Sequence, residues 1–475
     1  MSTLGEARGA RWILAGVLIA GAGAGTGCTA SAEDVRPRAD QLFFPSGVAL
    51  APDDSVLFVA NANSELRYDS GSISVINLGM VESIIQAWST GNAAEGCEPD
   101  AAHRETLVCE VAPFMRLTSM GQPAGVRIGN FSTDIGVEDF SPRDATGKVT
   151  SVNLRLFVPT RGDPSIAWAD YNGDRLSCTV KNDPFALCDD AHRLEVPDED
   201  PLAALIPDEP FNAFADADGG FAVVTHLTNG AVTLIDSPRG EDALISDVRH
   251  NVFLPDPSTG LRGATGVTGR HLPVDGSSAT PETVVYVGSR TDSRIQTFTV
   301  GRPPNFAPPY LLPDNFFFLN SVGTNQGIGS SVDTRGMKFS DDGNRLYVVN
   351  RRPPSLQIYD TSIGPDGFPL NRAIGASDIC PAASTLAVVD NGDGERAYVT
   401  CFQDGQVYVI DPRGESRLED VLTVGRGPFG IVASPRLQQL FITNFLEDTI
   451  AVVDVKSGSP TQNRVVLRIG IPRES

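Results

Sequence analysis

The sequence predicts an all-β fold of repeated antiparallel units, and three observations predict it. The 475 residues are 41% hydrophobic with 47 glycines and 34 prolines spread along them, a composition that turns often around a large core and favours short strands over long helices. One alternating strand recurs seven times: LFVANA from Leu57, LFVPTR from Leu156, AVVTHL from Ala222, VYVGSR from Val285, LYVVNR from Leu346, AYVTCF from Ala397 and LFITNF from Leu440. Most copies are followed, after a short polar gap, by a second alternating strand such as ISVINL, VTLIDS, LQIYDT, VYVIDP or IAVVDV. Units repeating on this scale bury their apolar faces by stacking on one another. The length prior of about three domains therefore gives way to one closed all-β domain over residues 43–471, with a tail at 472–475.

The chain opens with an export signal over residues 1–27. Arg8 and Arg11 precede the apolar run Ile13–Ala20, and a small-residue stretch ends in GAGTGC at Cys28. The run is too short and too broken by Gly and Ala to span a membrane, which takes about 20 mostly apolar residues. It resembles a bacterial lipoprotein signal, in which the cysteine is lipidated and becomes the first mature residue; Gly25 departs from that pattern, where Leu is preferred. Ala30-Ser31-Ala32 offers a simple cleavage site instead. The resemblance implies an outer-membrane-anchored lipoprotein, and cleavage at Ala32 a periplasmic protein. Either way residues 28–42 are a linker, and membrane contact comes only through a lipid anchor.

The blades follow in order. Several copies of the repeat are preceded by a strand with a small or Gly-containing entry, as in PSGVALAPDD, RGMKFSDDGN and PFGIVASPR, and the runs at Asp341 and Asp390 suit hairpin turns. Tyr347-Val348-Val349-Asn350, Tyr398-Val399-Thr400-Cys401 and Phe441-Ile442-Thr443-Asn444 resemble the tetrapeptide of the YVTN-repeat β-propeller family. That resemblance, over residues 43–471, implies a seven-bladed β-propeller of four-stranded antiparallel blades. The anchors Phe58, Phe157, Val223, Tyr286, Tyr347, Tyr398 and Phe441 stand 99, 66, 63, 61, 51 and 43 residues apart, so most blades carry insertions. The first gap is long enough to hide a degenerate blade, which makes eight blades the alternative. PPNFAPPYLLPDNFFF from Pro303 reads either as a partner-binding loop or, the preferred reading, as a connection whose last aromatics join the outer strand of blade 4, and Arg464–Ile471 reads as the final outer strand.

Six cysteines beyond Cys28 fall into three neighbouring couples, Cys97 with Cys109, Cys178 with Cys188 and Cys380 with Cys401. They suggest disulfides in an oxidising compartment, and the absence of any C-x-x-C argues against zinc or covalent haem. In a four-stranded blade the entry to the innermost strand and the exit of the second lie at the same end. That geometry brings Cys380 and Cys401 together.

The same geometry gathers the second-strand exits around the mouth of the central channel: Asn61, Arg161, His226, Arg290, Arg351, Phe402 and Asn444. Arg262, Arg335 and Arg426 occupy entry loops beside them. Arg161, His226, Arg290, Arg351, Arg262, Arg335 and Arg426 are therefore the candidate ligand-binding residues, forming an anion-binding funnel in which guanidinium groups grip carboxylate or phosphate bidentately. The competing reading pairs each arginine with an acidic neighbour such as Asp163, Asp292 or Glu447.

A net charge of -22 with only four lysines argues against a nucleic-acid surface. Asp170, Asn172 and Asp174 in DYNGDR are a weak calcium candidate without the closing acidic ligand of an EF-hand; a polar turn explains them as well, and no cofactor is expected. No G-x-S-x-G, H-E-x-x-H, P-loop or haem-attachment motif occurs, and no catalytic residue is assigned. The expectation is a monomeric, exported cell-envelope module that binds a small anionic ligand or an envelope protein. The alternative is a lactonase-like or other hydrolase on the same fold.

Overall fold

The computed structural model describes residues 35–179, 183–195, 206–273, 282–302, 308–319 and 332–473. The signal at 1–27, Cys28 and the Ala30–Ala32 site lie outside them. Seven sheets form, each built on four antiparallel strands. The second strands are Val56–Asn61, Leu154–Thr160, Phe221–His226, Thr283–Ser289, Arg345–Arg351, Glu395–Cys401 and Gln439–Asn444, so every copy of the repeat occupies the expected strand. First strands of successive blades touch one another from blade 2 through blade 7, and blade 7 meets blade 1 through Pro428–Ser434 and Pro45–Leu50; blades 1 and 2 join through the Ser46 hydroxyl on the Ser132 carbonyl and a shared apolar cluster. Seven blades, not eight, close the circle.

The apolar runs are explained by burial on both faces. Along Val56–Asn61 every residue is buried; Phe58 and Ala60 pack toward blade 2, while Leu57 and Val59 pack toward blade 7. One hydrophobic cluster fills each of the seven seams between blades. The outer strands differ, as in the mostly exposed Arg417–Thr423, and there charge reaches solvent.

The long first gap holds a latch instead of a blade. After the third strand of blade 1, the Asn77 side chain caps helix Leu78–Ser89 by accepting the Gly79 N–H. A hairpin of Cys97–Pro99 and Leu107–Cys109, stapled by the Cys97–Cys109 disulfide, then lays Leu107–Cys109 parallel to Arg464–Ile469 on the edge of blade 7. The Thr106 hydroxyl donates to the Val465 carbonyl at 2.6 Å. Val81 and Ile84 of the helix join Phe441 and Val466 in the seam cluster. Each terminal blade is thus complete from its own end of the chain, and the N-terminal excursion fastens them.

The other cysteine couples are also bonded. Cys178–Cys188 closes the loop between two short strands, Leu176–Ser177 and Arg193–Leu194, that both pair with Ser165–Tyr171. Cys380–Cys401 ties the entry of blade 6 to the exit of its second strand. Tyr310–Phe318 is the outer strand of blade 4, and 303–307 lie outside the described residues. Three disulfides indicate an oxidising, exported environment. No described helix is long and apolar enough to cross a membrane.

Candidate functional site

The site is built where first strands enter their blades. At six entries the register against the second strand slips, as between Pro45 and Val48 or between Thr334 and Met337. The slip turns the entry residues toward the channel and packs each blade on the next. A Cβ on Gly430 would lie 2.3 Å from the Ser46 carbonyl oxygen, and one on Gly47 2.6 Å from Asp134 backbone. Only glycine permits that approach, which accounts for the Gly-containing entries.

A ring of hydrogen bonds crosses these seams near the channel. From blade 1 onward, the Ser46 hydroxyl donates to the Ser132 carbonyl at 2.8 Å, the Thr133 hydroxyl to that of Phe211, and the Thr225 hydroxyl to that of Thr265 at 2.8 Å. Thr265 donates to Thr334 at 2.6 Å, Thr400 to Phe429 at 3.2 Å, and Thr443 back to Ser46 at 2.8 Å. A threonine on the second strand or a hydroxyl at the entry serves each of these six seams. Blade 5 breaks the rule. Val349 stands where blades 3, 6 and 7 have Thr225, Thr400 and Thr443, and Arg335 stands where blades 1, 2 and 4 have Ser46, Thr133 and Thr265. The Nε–H of Arg351 donates to the Ala383 carbonyl in place of a hydroxyl.

Above this ring lies a cavity of about 300 Å³, its wall including Arg161, Arg335, Arg351, Phe131, Phe211, Phe429 and Phe445. Val48, Asp134, Asn212, Thr385 and Ile431 line both it and a cavity of about 690 Å³ on the opposite side, so they form the waist of the channel. Charge is unbalanced in the upper cavity. Arg161 pairs with Glu209 of the next blade at 2.5 Å, and Arg335 with Asp333 at 2.7 Å. Among the described residues neither Arg351 nor Arg290 has a carboxylate within ion-pair distance. Burial, then the charge of Arg335 with smaller contributions from Arg290 and Arg352, pushes Arg351 down to about 10 against the pull of Asp333. Arg351 therefore stays a cation at neutral pH in a place that disfavours one. Burial likewise lowers Arg335 and holds the Asp134 carboxyl above its usual range.

The candidate residues thus divide. Arg161, Arg335 and Arg351 line one cavity, and Arg290 stands beside them, its side chain packed over Gly263. His226 does not project into the channel: it is fully buried, its Nε2 is 2.8 Å from the Thr233 hydroxyl, and burial pushes it down to about 4. Arg262 turns to the Phe253 carbonyl at 2.7 Å, and Arg426 to Glu447 at 3.4 Å; neither lines the cavity. Asn61 is buried, its amide donating to Ser72 and Ser74. The pairing with acidic neighbours therefore holds for Arg161, Arg335 and Arg426 and, among the described residues, fails for Arg262, Arg290 and Arg351. The calcium candidates point to separate partners: Asp170 to Arg155 at 2.8 Å, Asn172 to the N–H groups of its own turn, and Asp174 to the Ser119 N–H. Sequence reading missed the phenylalanines of the wall, whose signal lies in aligned entries and exits: Phe211 and Phe429 share the entry position of Arg335.

A seven-bladed β-propeller with a cationic, aromatic-walled channel mouth is the class these observations define. No family model and no curated protein matches the chain. Among solved structures it is similar to a candidate 6-phosphogluconolactonase from Bacteroides fragilis, at 13% identity and a TM-score of 0.52, covering 88% of this chain and 99% of that one. It is also similar to a periplasmic gluconolactonase from Pseudomonas aeruginosa, at 15% identity and a TM-score of 0.42 over 81% and 86% of the chains. Hydrazine synthase from Kuenenia stuttgartiensis gives 13% and 0.45 over 90% and 98%. The first likeness supports the propeller fold.

Proposed function

We propose that this protein is an exported cell-envelope module of the YVTN-repeat type that binds a small anion at its channel mouth through Arg335 and Arg351, with Arg161 and Arg290 in support. One observation carries the reading. Blade 5 alone gives up both hydroxyl positions of the seam ring and sets arginines around the same cavity. Crowding like charges disfavours folding, so a bound anion is the compensation that would justify it. The lipoprotein-like signal supports tethering at Cys28, with release at Ala32 as the other route.

Thermal unfolding of the protein with phosphate, dicarboxylates, sugar acids and calcium tests the proposal, beside Arg351→Ala and Arg161→Ala. Stabilisation by one anion that rises with concentration and is lost in Arg351→Ala is expected, because a ligand of the folded state stabilises by mass action. No anion effect in the wild type overturns it and directs the search to an envelope protein partner. Asp134 favours a second reading, lactone hydrolysis, since the residue lines both cavities at the waist, one carboxyl oxygen accepts the Ala213 N–H at 3.1 Å, and burial raises the carboxyl above its usual range. Turnover of lactones that disappears in Asp134→Asn would establish it.

A further inference from the structure

The upper cavity is lined by guanidinium groups and by phenylalanine rings, and that combination restricts what can fill it. Blade 5 supplies Arg335 and Arg351. Blade 7 contributes Phe429 and Phe445, whose ring centroids are 6.1 Å apart; Phe402 of blade 6 lies 6.3 and 6.1 Å from the two, closing a triangle. Phe44 extends the series, 5.3 Å from Phe445. Phe131 and Phe211 complete the wall, and the Arg335 guanidinium sits 5.8 Å from the Phe211 ring.

One lining aromatic is held at a cost to the backbone. Phe131 has φ of 59°, in the left-handed region that bulky residues avoid. Gly162 accommodates the Phe131 ring, since a Cβ there would fall 2.3 Å from it. Such strain concentrates where a site needs a side chain aimed. The Ser384 hydroxyl, beside the seam that Arg351 bridges, makes no hydrogen bond within the described protein.

Simple packing does not explain this distribution. Phe429 and Phe445 are only half-buried although fully buried positions lie one residue away, at Pro428, Gly430 and Asn444. A phosphate or a short sugar acid would engage the arginines and leave the rings exposed to water. A ligand with one anionic group and a flat apolar body would use both, its charge at Arg351 and its ring against Phe429 and Phe445. The volume, about 300 Å³, lies at the lower end of ligand sites.

Resting on the anion reading above, we infer that the preferred ligand is an aromatic monocarboxylate, bound with its carboxylate on Arg335 and Arg351 and its ring against the phenylalanines of blade 7. Calorimetric titration of the protein with 3-phenylpropionate, hexanoate and inorganic phosphate distinguishes the two levels of the argument. The aromatic acid is expected to bind about tenfold more tightly than hexanoate. Phe429→Leu and Phe445→Leu, two independent variants in case one fails to fold, should each close most of that tenfold gap between the two carboxylates while phosphate binding is retained. Arg351→Ala should weaken all three probes. Equal binding of the two carboxylates overturns the aromatic preference and leaves the anion site standing; no binding of any probe overturns both.

Discussion

If blade 5 sacrifices stability for its arginines, restoring the hydroxyl found in the other seams should return that stability and abolish binding. The perturbation is Val349→Thr with Arg351→Ser, which places a threonine at the position of Thr225, Thr400 and Thr443 and removes the buried cation. The fall of Arg351 to about 10 corresponds to about 3 kcal/mol of disfavoured charge, which the variant relieves. Losing the charged hydrogen bond to the Ala383 carbonyl costs about 2 kcal/mol, and a neutral hydroxyl bond returns about 1 kcal/mol. Replacing a buried Val methyl by a hydroxyl costs roughly another 1 kcal/mol. The balance is a gain of about 1 kcal/mol, or about 1 °C in melting temperature for a domain of this size. The wild type should rise by about 3 °C when an anion is present at 100 times its Kd, and the variant should not respond. Differential scanning calorimetry with and without anion reads both effects. A variant less stable by more than about 2 kcal/mol would refute the reasoning, because Arg351 would then be structural cement.

Two buried groups give the stability profile opposite slopes in pH. Glu138 is fully buried, accepts the Ser237 hydroxyl at 2.5 Å on one oxygen, and burial pushes it up to about 8. Its folded form holds a proton that the unfolded chain releases, so stability falls as pH rises from about 4.5 to 8, by about 5 kcal/mol. Urea unfolding of Glu138→Gln should flatten that limb. His226, pushed down to about 4, acts in the other direction: the unfolded chain takes up the proton first, and stability falls as pH drops from about 6.5 to 4, by about 3 kcal/mol. The His226→Gln protein should lose the acid limb alone in the same titration. Reducing the latch is a third test. Cys97→Ser with Cys109→Ser should destabilise by about 2 to 3 kcal/mol, and hydrogen exchange should rise first along Arg464–Ile469 and Val56–Asn61, the strands on either side of the closure.

The fold was legible because its signals are local and repeated. A second strand buried on both faces reads as a bare apolar run, and seven such runs need no tertiary knowledge to align. The Cys380–Cys401 bond followed from blade geometry. The latch was not legible: Leu107–Cys109 pairs with a strand more than three hundred residues away, and nothing in so short a segment encodes that partner. At the site, sequence placed Arg161, Arg290, Arg335 and Arg351 together because the repeat fixes which end of each strand reaches the mouth. It misplaced His226, since a one-residue difference in where a side chain turns decides between the channel and the seam. The phenylalanine wall was open to the same alignment that found the arginines. It went unread because aromatic residues at strand ends look like core.

The overall charge and the local charge of this protein have opposite signs, and that contrast bears on what can enter. At -22 the exterior repels anions at long range. At physiological salt that repulsion is screened beyond about 8 Å, whereas the guanidiniums of Arg335 and Arg351 act across a half-enclosed cavity where screening is weaker. A small monoanion therefore reaches the mouth with little hindrance and meets two or more cations there. A long polyanion cannot: most of its charges would remain outside against the acidic surface while only one end fits within about 300 Å³. Of the adjacent cations Arg351 and Arg352 in so acidic a chain, Arg351 lines the cavity and Arg352 adds its charge nearby. On the proposed reading, the acidic exterior would keep large anions out, and the few crowded arginines, at the blade whose seam lacks the hydroxyl, would select small ones.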